Sequence, residues 1–292
     1  MKLFNPSRII YLALLLILFL FAVLKVEIPP VYSSSAQKSY DYIENISDNT
    51  KYILFGMEYG PGTQAENDAQ AQVILEHLFR KQIKVIIFTT YPLADKFLVN
   101  TPEAIAKKVS KEEKREISYG IDWINLGFRP GATIFFQGLS QSKDLLTYLG
   151  QDYLGKKINS YSQFQNLKSV KDIQFIAYFS GLTGVLNNYI QFLRQEGKAF
   201  DMIHGCTSIS VPEAYIYLES GQLRGLLEGL SGAAWYSKLL KDKYKTQKSS
   251  EIILTNSILS AGQIFILLLL VLGNLSSCFS LFKKRSKNKN DA

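Results

Sequence analysis

Residues 52–78 read YILFGMEYGPGTQAENDAQAQVILEHL, and the fold follows from them. A continuous apolar run at 52–55 has the length of a strand. It leads into the turn Glu58-Tyr59-Gly60-Pro61-Gly62-Thr63, and a helix follows in which Ala71, Ile74, Leu75 and Leu78 share one face. A strand that is apolar throughout, rather than alternately, suits a sheet covered on both faces. Further runs of this kind lie at 85–88, 175–179 and 200–203, with weaker ones at 121–126 and 133–136. Val185, Leu186, Tyr189, Ile190 and Leu193 mark another amphipathic helix before a stop at Gly197. Strands alternating with helices predict a mostly parallel sheet with helices on both sides. The expected architecture over residues 51–245 is therefore α/β, Rossmann-like or flavodoxin-like and doubly wound, with an irregular insertion across 128–172.

Two uncharged apolar stretches bracket this region, at 9–24 and 252–282. The net charge of +8 sits mostly outside them. Lys2 and Arg8 contribute +2, and Lys283, Lys284, Arg285, Lys287 and Lys289 less Asp291 contribute +4, so six of the eight charges lie in the two tails. A nucleic-acid-binding domain would carry its charge on the folded part, so no nucleic-acid partner is expected. Basic flanks of apolar spans stay in the cytoplasm. The expectation is a two-pass protein of the inner (cytoplasmic) membrane with both termini inside. It divides into an N-tail at 1–8, a span at 9–26, a Ser-rich juxtamembrane linker at 27–50, the extracytoplasmic domain, a span at 256–282 and a basic tail at 283–292. Sixteen residues reach only about 24 Å as a helix, which makes a cleaved signal peptide the competing reading for the first stretch. The nine residues, Pro29 and Pro30 among them, that separate its end from Ser34-Ser35-Ala36 favour an uncleaved anchor. Gln263 is the one strongly polar residue in the core of the second stretch and reads as interfacial.

In a parallel sheet, ligands bind beyond the C-terminal strand ends, at helix N-termini. Tyr59, Gly60, Gly62 and Thr63 follow the first strand, Ser180 and Thr183 a later one, and Thr207 and Ser208 the next. These are the ligand-binding candidates. Thr63-x-x-Glu66 and Ser210-x-x-Glu213 have capping-box spacing. No G-x-G-x-x-G is present, and Glu58 puts a negative charge where a phosphate would go, so no cofactor is expected.

His204 and Cys206 are the only pair that could form a thiol nucleophile and its base. In a strand, however, their Cα atoms lie roughly 6.6–7 Å apart, too far for the contact such chemistry needs. With two histidines and two cysteines, one of which (Cys278) lies in the second span, no metal site is expected. His77 falls on the flank of its helix and is expected to be partly exposed. Ser35-x-x-Lys38 and Ser140-x-x-Lys143 match a Ser–Lys spacing that a chain rich in both residues produces by chance. Gly221, Gly225, Gly229 and Ala233 recur every four residues, which in a helix would make a groove for close packing or for an interface.

Two segments carry a resemblance. Tyr119-Gly120-Ile121-Asp122-Trp123-Ile124-Asn125-Leu126-Gly127 with Arg129-Pro130-Gly131 is similar to a signature of uncharacterised bacterial two-span membrane proteins with an extracytoplasmic α/β domain. The run from Gly221 to Ala234, GQLRGLLEGLSGAA, is similar to a second one. The resemblance covers roughly residues 51–282 and implies the same two-span layout, with no assigned activity.

Together these features point to a membrane-anchored module that binds a ligand or a partner, either another membrane protein or a second copy of itself. The alternative is an extracytoplasmic hydrolase or transferase with a site at the C-terminal edge of the sheet, using Cys206, His204 or the serines near the ends of the fourth and fifth strands.

Overall fold

The computed structural model describes residues 6–182, 184–193, 200–245 and 250–290, with side chains to Leu275. It contains two compact units, Val31–Gln247 and a pairing of Met1–Pro30 with Lys248–Ala292.

The larger unit is built on one six-stranded, all-parallel sheet. Its strands are β1 (Tyr52–Glu58), β2 (Lys84–Thr89), β3 (Trp123–Phe128), β4 (Ile173–Ser180), β5 (Asp201–Cys206) and β6 (Gly225–Glu228), in the order β3-β2-β1-β4-β5-β6. The chain winds outward from β1 to β3, then crosses back and winds outward from β4 to β6. The direction reverses between β1 and β4. Every residue of β1 is buried, as expected of a central strand covered on both faces.

Ten helices complete the described chain: α1 (Pro6–Leu24), α2 (Ser34–Glu44), α3 (Gln64–Arg80), α4 (Asp95–Glu113), α5 (Ala132–Gln141), α6 (Leu145–Leu149), α7 (Val185–Leu193), α8 (Val211–Glu219), α9 (Gly229–Tyr244) and α10 (Glu251–Asn290). On one sheet face Leu54, Ile86, Ile124, Tyr178 and Met202 form a core with Phe136 of α5, Leu186 and Tyr189 of α7 and Leu218 of α8. The alternate strand residues, Ile53, Phe55, Ile87 and Phe179, are equally buried. Helix α3 packs against α4, α9, β4 and β5.

Four sequence expectations are corrected. The stretch at 133–136 is not a strand but part of α5, where Phe135, Phe136 and Leu139 are buried on one face. A short apolar run does not by itself distinguish the two. Second, the supposed linker at 27–50 contains α2, capped by the Ser33 hydroxyl accepting from the Ala36 amide at 3.1 Å. Its apolar positions are Ala36, Tyr40 and Ile43, and its small serines let it lie close on β6. Low hydrophobicity hid it.

Third, the four-residue repeat is not one helix. Gly221 ends the turn after α8 with φ +70°, Gly225 opens β6, Gly229 opens α9, and Ala233 lies buried inside α9. A Cβ on Gly225 would come within 2.6 Å of the Ser39 Cα, so the glycine is there to admit α2. Close packing is served by Gly225, and by Gly229 against Ser208 and Glu66, whereas a Cβ on Gly221 would meet nothing.

His77 is fully buried rather than partly exposed. The Tyr236 hydroxyl donates to its Nδ1 at 2.6 Å, its Nε2–H donates to Glu44 at 3.0 Å, and the Tyr40 ring stacks on it at 4.8 Å. Burial lowers its pKa to about 4, so it is neutral at pH 7. This network ties α2 to α3 and α9.

The smaller unit holds two helical stretches long and apolar enough to cross a membrane, Ser7–Leu24 and Glu251–Leu275. They pack together, with Leu18 and Leu14 over Gly262, and the Ile28 amide donates to the Ser257 hydroxyl at 2.8 Å.

Replacing Gly225 with Ala is expected to cost about 1–3 kcal/mol through overpacking against Ser39. The loss should appear as a lower thermal midpoint, with faster proteolysis inside α2. An unchanged midpoint would show that α2 is not held where this contact places it.

Candidate functional site

The parallel register aligns the strand ends: Glu58 pairs with Ser180, Ser180 with Cys206, and Cys206 with Glu228. The turns after β1, β4 and β5 therefore lie along one edge, as the sequence predicts. Their side chains do not leave an open crevice at the reversal point. A Cβ on Gly181 would lie 2.6 Å from a Thr207 methyl and 2.7 Å from the Thr63 methyl, so both methyls close over that position. Gly62 is exposed with open space beside it. Thr183 lies outside the described residues.

Several candidates have structural tasks. Tyr59 is buried, packs against Phe97 and donates to Asp68 at 2.8 Å. Gly60 lies against Tyr91 and Leu93. Ser180 is buried and accepts from the Leu182 amide. The capping-box reading is corrected at both places, because neither Thr63 nor Ser210 makes a side-chain cap bond. Glu66 instead accepts from the Ser208 amide and hydroxyl, each at 2.8 Å, fastening α3 to the turn after β5. Ser35 and Ser140 of the Ser–Lys spacings are both buried.

Two buried amides that sequence reasoning passed over stabilise this edge. Gln70 Nε2 donates to the carbonyls of Cys206, Leu227 and Gly229 at 2.7, 3.1 and 2.9 Å, and Asn67 donates to Gly205 at 3.3 Å. The signal was available as two polar residues on the otherwise apolar face of α3. Glu58 is held inside in the same way. It accepts from the Thr90 amide at 3.0 Å, from the Thr89 and Thr90 hydroxyls, and from Tyr189 at 3.0 Å. Burial raises its pKa.

His204 and Cys206 lie in the core. The imidazole is stacked 4.3 Å from Tyr178 and its Nδ1–H donates to the Tyr178 carbonyl at 3.2 Å. Tyr178 stacks in turn on Tyr189, and Tyr189 packs on Phe136. Burial lowers the His204 pKa to about 4 and raises the Cys206 thiol to about 12. A neutral imidazole and a protonated thiol, both shut away from solvent, do not make a nucleophile and base.

The same edge opens at the end of β3. There a cavity of about 490 Å³ is bordered by Asp95 and Val99 of α4, by Asn125 and Arg129, and by Asp152 and Tyr153. Residues 125–129, at the end of β3, form one of its walls. Buried Asn125 donates to the Leu98 carbonyl at 3.1 Å, accepts from the Gly127 amide at 2.8 Å, and accepts through its own carbonyl from the Tyr153 amide at 2.9 Å. Gly127 has φ +70°, where a side chain would be strained, and a Cβ would meet Tyr153 at 3.1 Å.

Asp152 is saturated by the Tyr119 and Tyr161 hydroxyls at 2.7 and 2.6 Å and by the Leu154 and Lys156 amides at 2.9 and 2.8 Å. Burial works against its charge, but these bonds outweigh burial and keep its pKa low. The Arg129 amide donates to Thr89 at 2.7 Å, holding the end of β3 to β2. Its guanidinium donates to the Gln151 carbonyl, and among the described residues its buried Nε has no hydrogen-bond partner. Among the described residues no three His, Cys, Asp or Glu side chains gather as a metal site.

Comparison with known proteins finds no matching family model, curated sequence or solved structure.

Two measurements follow. In a Cys278→Ser protein, folded Cys206 should react with N-ethylmaleimide on the order of a thousandfold more slowly than after denaturation, because burial pushes its thiol up to about 12. Rapid labelling of the folded protein would reopen the nucleophile reading.

The second concerns acid. Both histidines have folded pKa values below 6.5, so the unfolded chain binds protons that the folded chain does not. Stability therefore falls as pH drops from 6.5 toward 4. At pH 4.5 each histidine should account for roughly 2 kcal/mol. His204→Phe should flatten the loss of thermal midpoint between pH 7 and 4.5, and an unchanged slope would place His204 in contact with water.

Proposed function

We propose that this chain is a two-pass protein of a bacterial inner membrane. It holds a Rossmann-like module on the extracytoplasmic side, and the module binds a small ligand at the C-terminal edge of its sheet. The cavity at the end of β3 carries this reading. At about 490 Å³ it falls within the size range of small-molecule sites. It also lies on the edge where parallel sheets take ligands.

The strand order supports the Rossmann-like assignment, since it is that of dinucleotide-binding doubly wound sheets. The mode of binding differs. The crevice between β1 and β4, where such sheets hold a pyrophosphate, is occupied here by Glu58 and by the Thr63 and Thr207 methyls. Binding moves two strands outward. The shielded thiol and imidazole favour binding over turnover.

The membrane assignment is supported by apolar surface and by charge. Leu15, Leu16 and Phe19 of α1 and Leu267, Leu268 and Leu272 of α10 are each more than half exposed, a surface that lipid would cover at no cost. Packing of α1 against α10 favours an anchor that stays in place over a cleaved signal. The basic tails favour N-in, C-in topology.

Reporter fusions test the topology: one after residue 282 should be active only inside, and one in the 45–50 turn only outside. External activity at the C-terminus would overturn it. For binding, native mass spectrometry of the full chain from micelles should show a small-molecule adduct that Val99→Phe, which fills the cavity, removes. A bare mass for both proteins, from cells grown in rich and in minimal medium, would count against the module reading.

A further inference from the structure

The segment 119–131 is singled out in the sequence but has no task in the fold that a plain strand and turn could not perform. In the structure four of its residues bear on the cavity at the end of β3. Tyr119 fixes Asp152, Asn125 joins α4 to the 150s loop, Gly127 makes room for Tyr153, and Arg129 borders the space.

The charges around the cavity are not equivalent. Asp152 has both oxygens filled from behind by two tyrosine hydroxyls and two backbone amides, so it has little left to offer a ligand. Arg129 is in the opposite state. Its guanidinium is partly withdrawn from water, and burial works against its charge by more than the nearby Asp152 carboxylate supports it. Among the described residues its one side-chain hydrogen bond goes to a neutral carbonyl, that of Gln151. A guanidinium carries five donors in a planar fork matched to two-oxygen anions. A half-buried guanidinium with a single neutral acceptor leaves most of that capacity unused, at a cost in desolvation that an anion would offset. Asp95, at the start of α4, is exposed at the mouth, and among the described residues no set of donors saturates it.

We propose that this cavity binds a small molecule bearing a carboxylate or phosphate group. Arg129 is the anion anchor, and Asp95 accepts from a hydroxyl or ammonium group of the same molecule at the mouth. The inference rests on the reading of the unit as a ligand-binding module and names the class of its ligand. The volume sets the scale at a single small metabolite, since a dinucleotide would need the crevice between β1 and β4, which Glu58 and the two threonine methyls occupy.

The test is ligand-observed NMR on the full chain in nanodiscs, with four probes in separate titrations. Serine supplies the carboxylate arm, glycerol 3-phosphate the phosphate arm, glycerol the neutral control and ethanolamine the cationic one. At least one anionic probe should bind. Its affinity should fall at least about tenfold in Arg129→Gln, the loss expected when a charge-assisted hydrogen bond is removed. It should be abolished in Val99→Phe, which fills the cavity and leaves the guanidinium alone. Asp95→Asn should weaken it less. Serine alone, or glycerol 3-phosphate alone, would assign the anion.

Circular dichroism and thermal midpoint confirm that each variant folds. If Arg129→Gln fails to fold, Arg129→Lys replaces it, keeping the charge and losing the fork. Binding by glycerol or ethanolamine that Val99→Phe abolishes and Arg129→Gln leaves intact would overturn the anion proposal while sparing the binding-module reading. Failure of every probe to show binding sensitive to Val99→Phe would overturn both.

Discussion

A parallel sheet cannot leave a face in water without exposing the apolar side chains that hold it together, and this constraint governs the larger unit. β1, at the centre, is buried along its whole length. Each crossover must therefore lay a helix across the sheet, and the alternate residues of the strands fill two separate layers. The outermost strand poses the same problem in small. β6 is four residues long, and its covering comes from α2, which precedes the sheet in sequence by only a few residues yet lies on its far strand. Ser39 and Gly225 make that covering tight.

Burial on both faces brings polar groups inside with the strands, and each must find a partner there. Gln70 serves three strand-end carbonyls at once. Glu58 has bonds from the turn after β2 and from α7. His77 bridges Tyr236 and Glu44. These solutions stiffen the middle of the edge and fill it with side chains. Towards β3 the sheet is covered differently, by α4 and by the irregular 150s loop, and these elements stand far enough apart to leave a cavity of about 490 Å³. The edge is closed where parallel sheets usually bind and open two strands away.

Much of the architecture is present in the order of the residues. Continuous apolar runs at 52–55, 85–88 and 175–179 announce strands covered on both sides, because such runs are unstable anywhere water can reach. The junctions after β1, β4 and β5 share an edge, because parallel strands all end on the same side. The two long apolar stretches are equally plain. Less legible was anything whose meaning depends on a neighbour far away in the chain. Thr63 and Glu66 have the spacing of a capping box, but Glu66 finds a better pair of donors on Ser208, 142 residues on. Gly225 and Gly229 have the spacing of a helix groove, but one admits Ser39 and the other starts a new helix. Arg129 passed as one residue of a motif, since nothing local shows that its guanidinium would be drawn out of water beside a cavity.

The sequence by itself determined the alternation of strand and helix, the parallel sheet and the two apolar helices. Those properties arise from periodicity and burial over short stretches, and short stretches are what a sequence displays. Only the tertiary structure decided that α2 covers the far edge, that the crevice beside β1 is filled, that the thiol and imidazole are shut in the core, and that Arg129 borders an open cavity. Each of these depends on which side chain arrives first at a given point in space. That is settled by packing among elements distant in the chain.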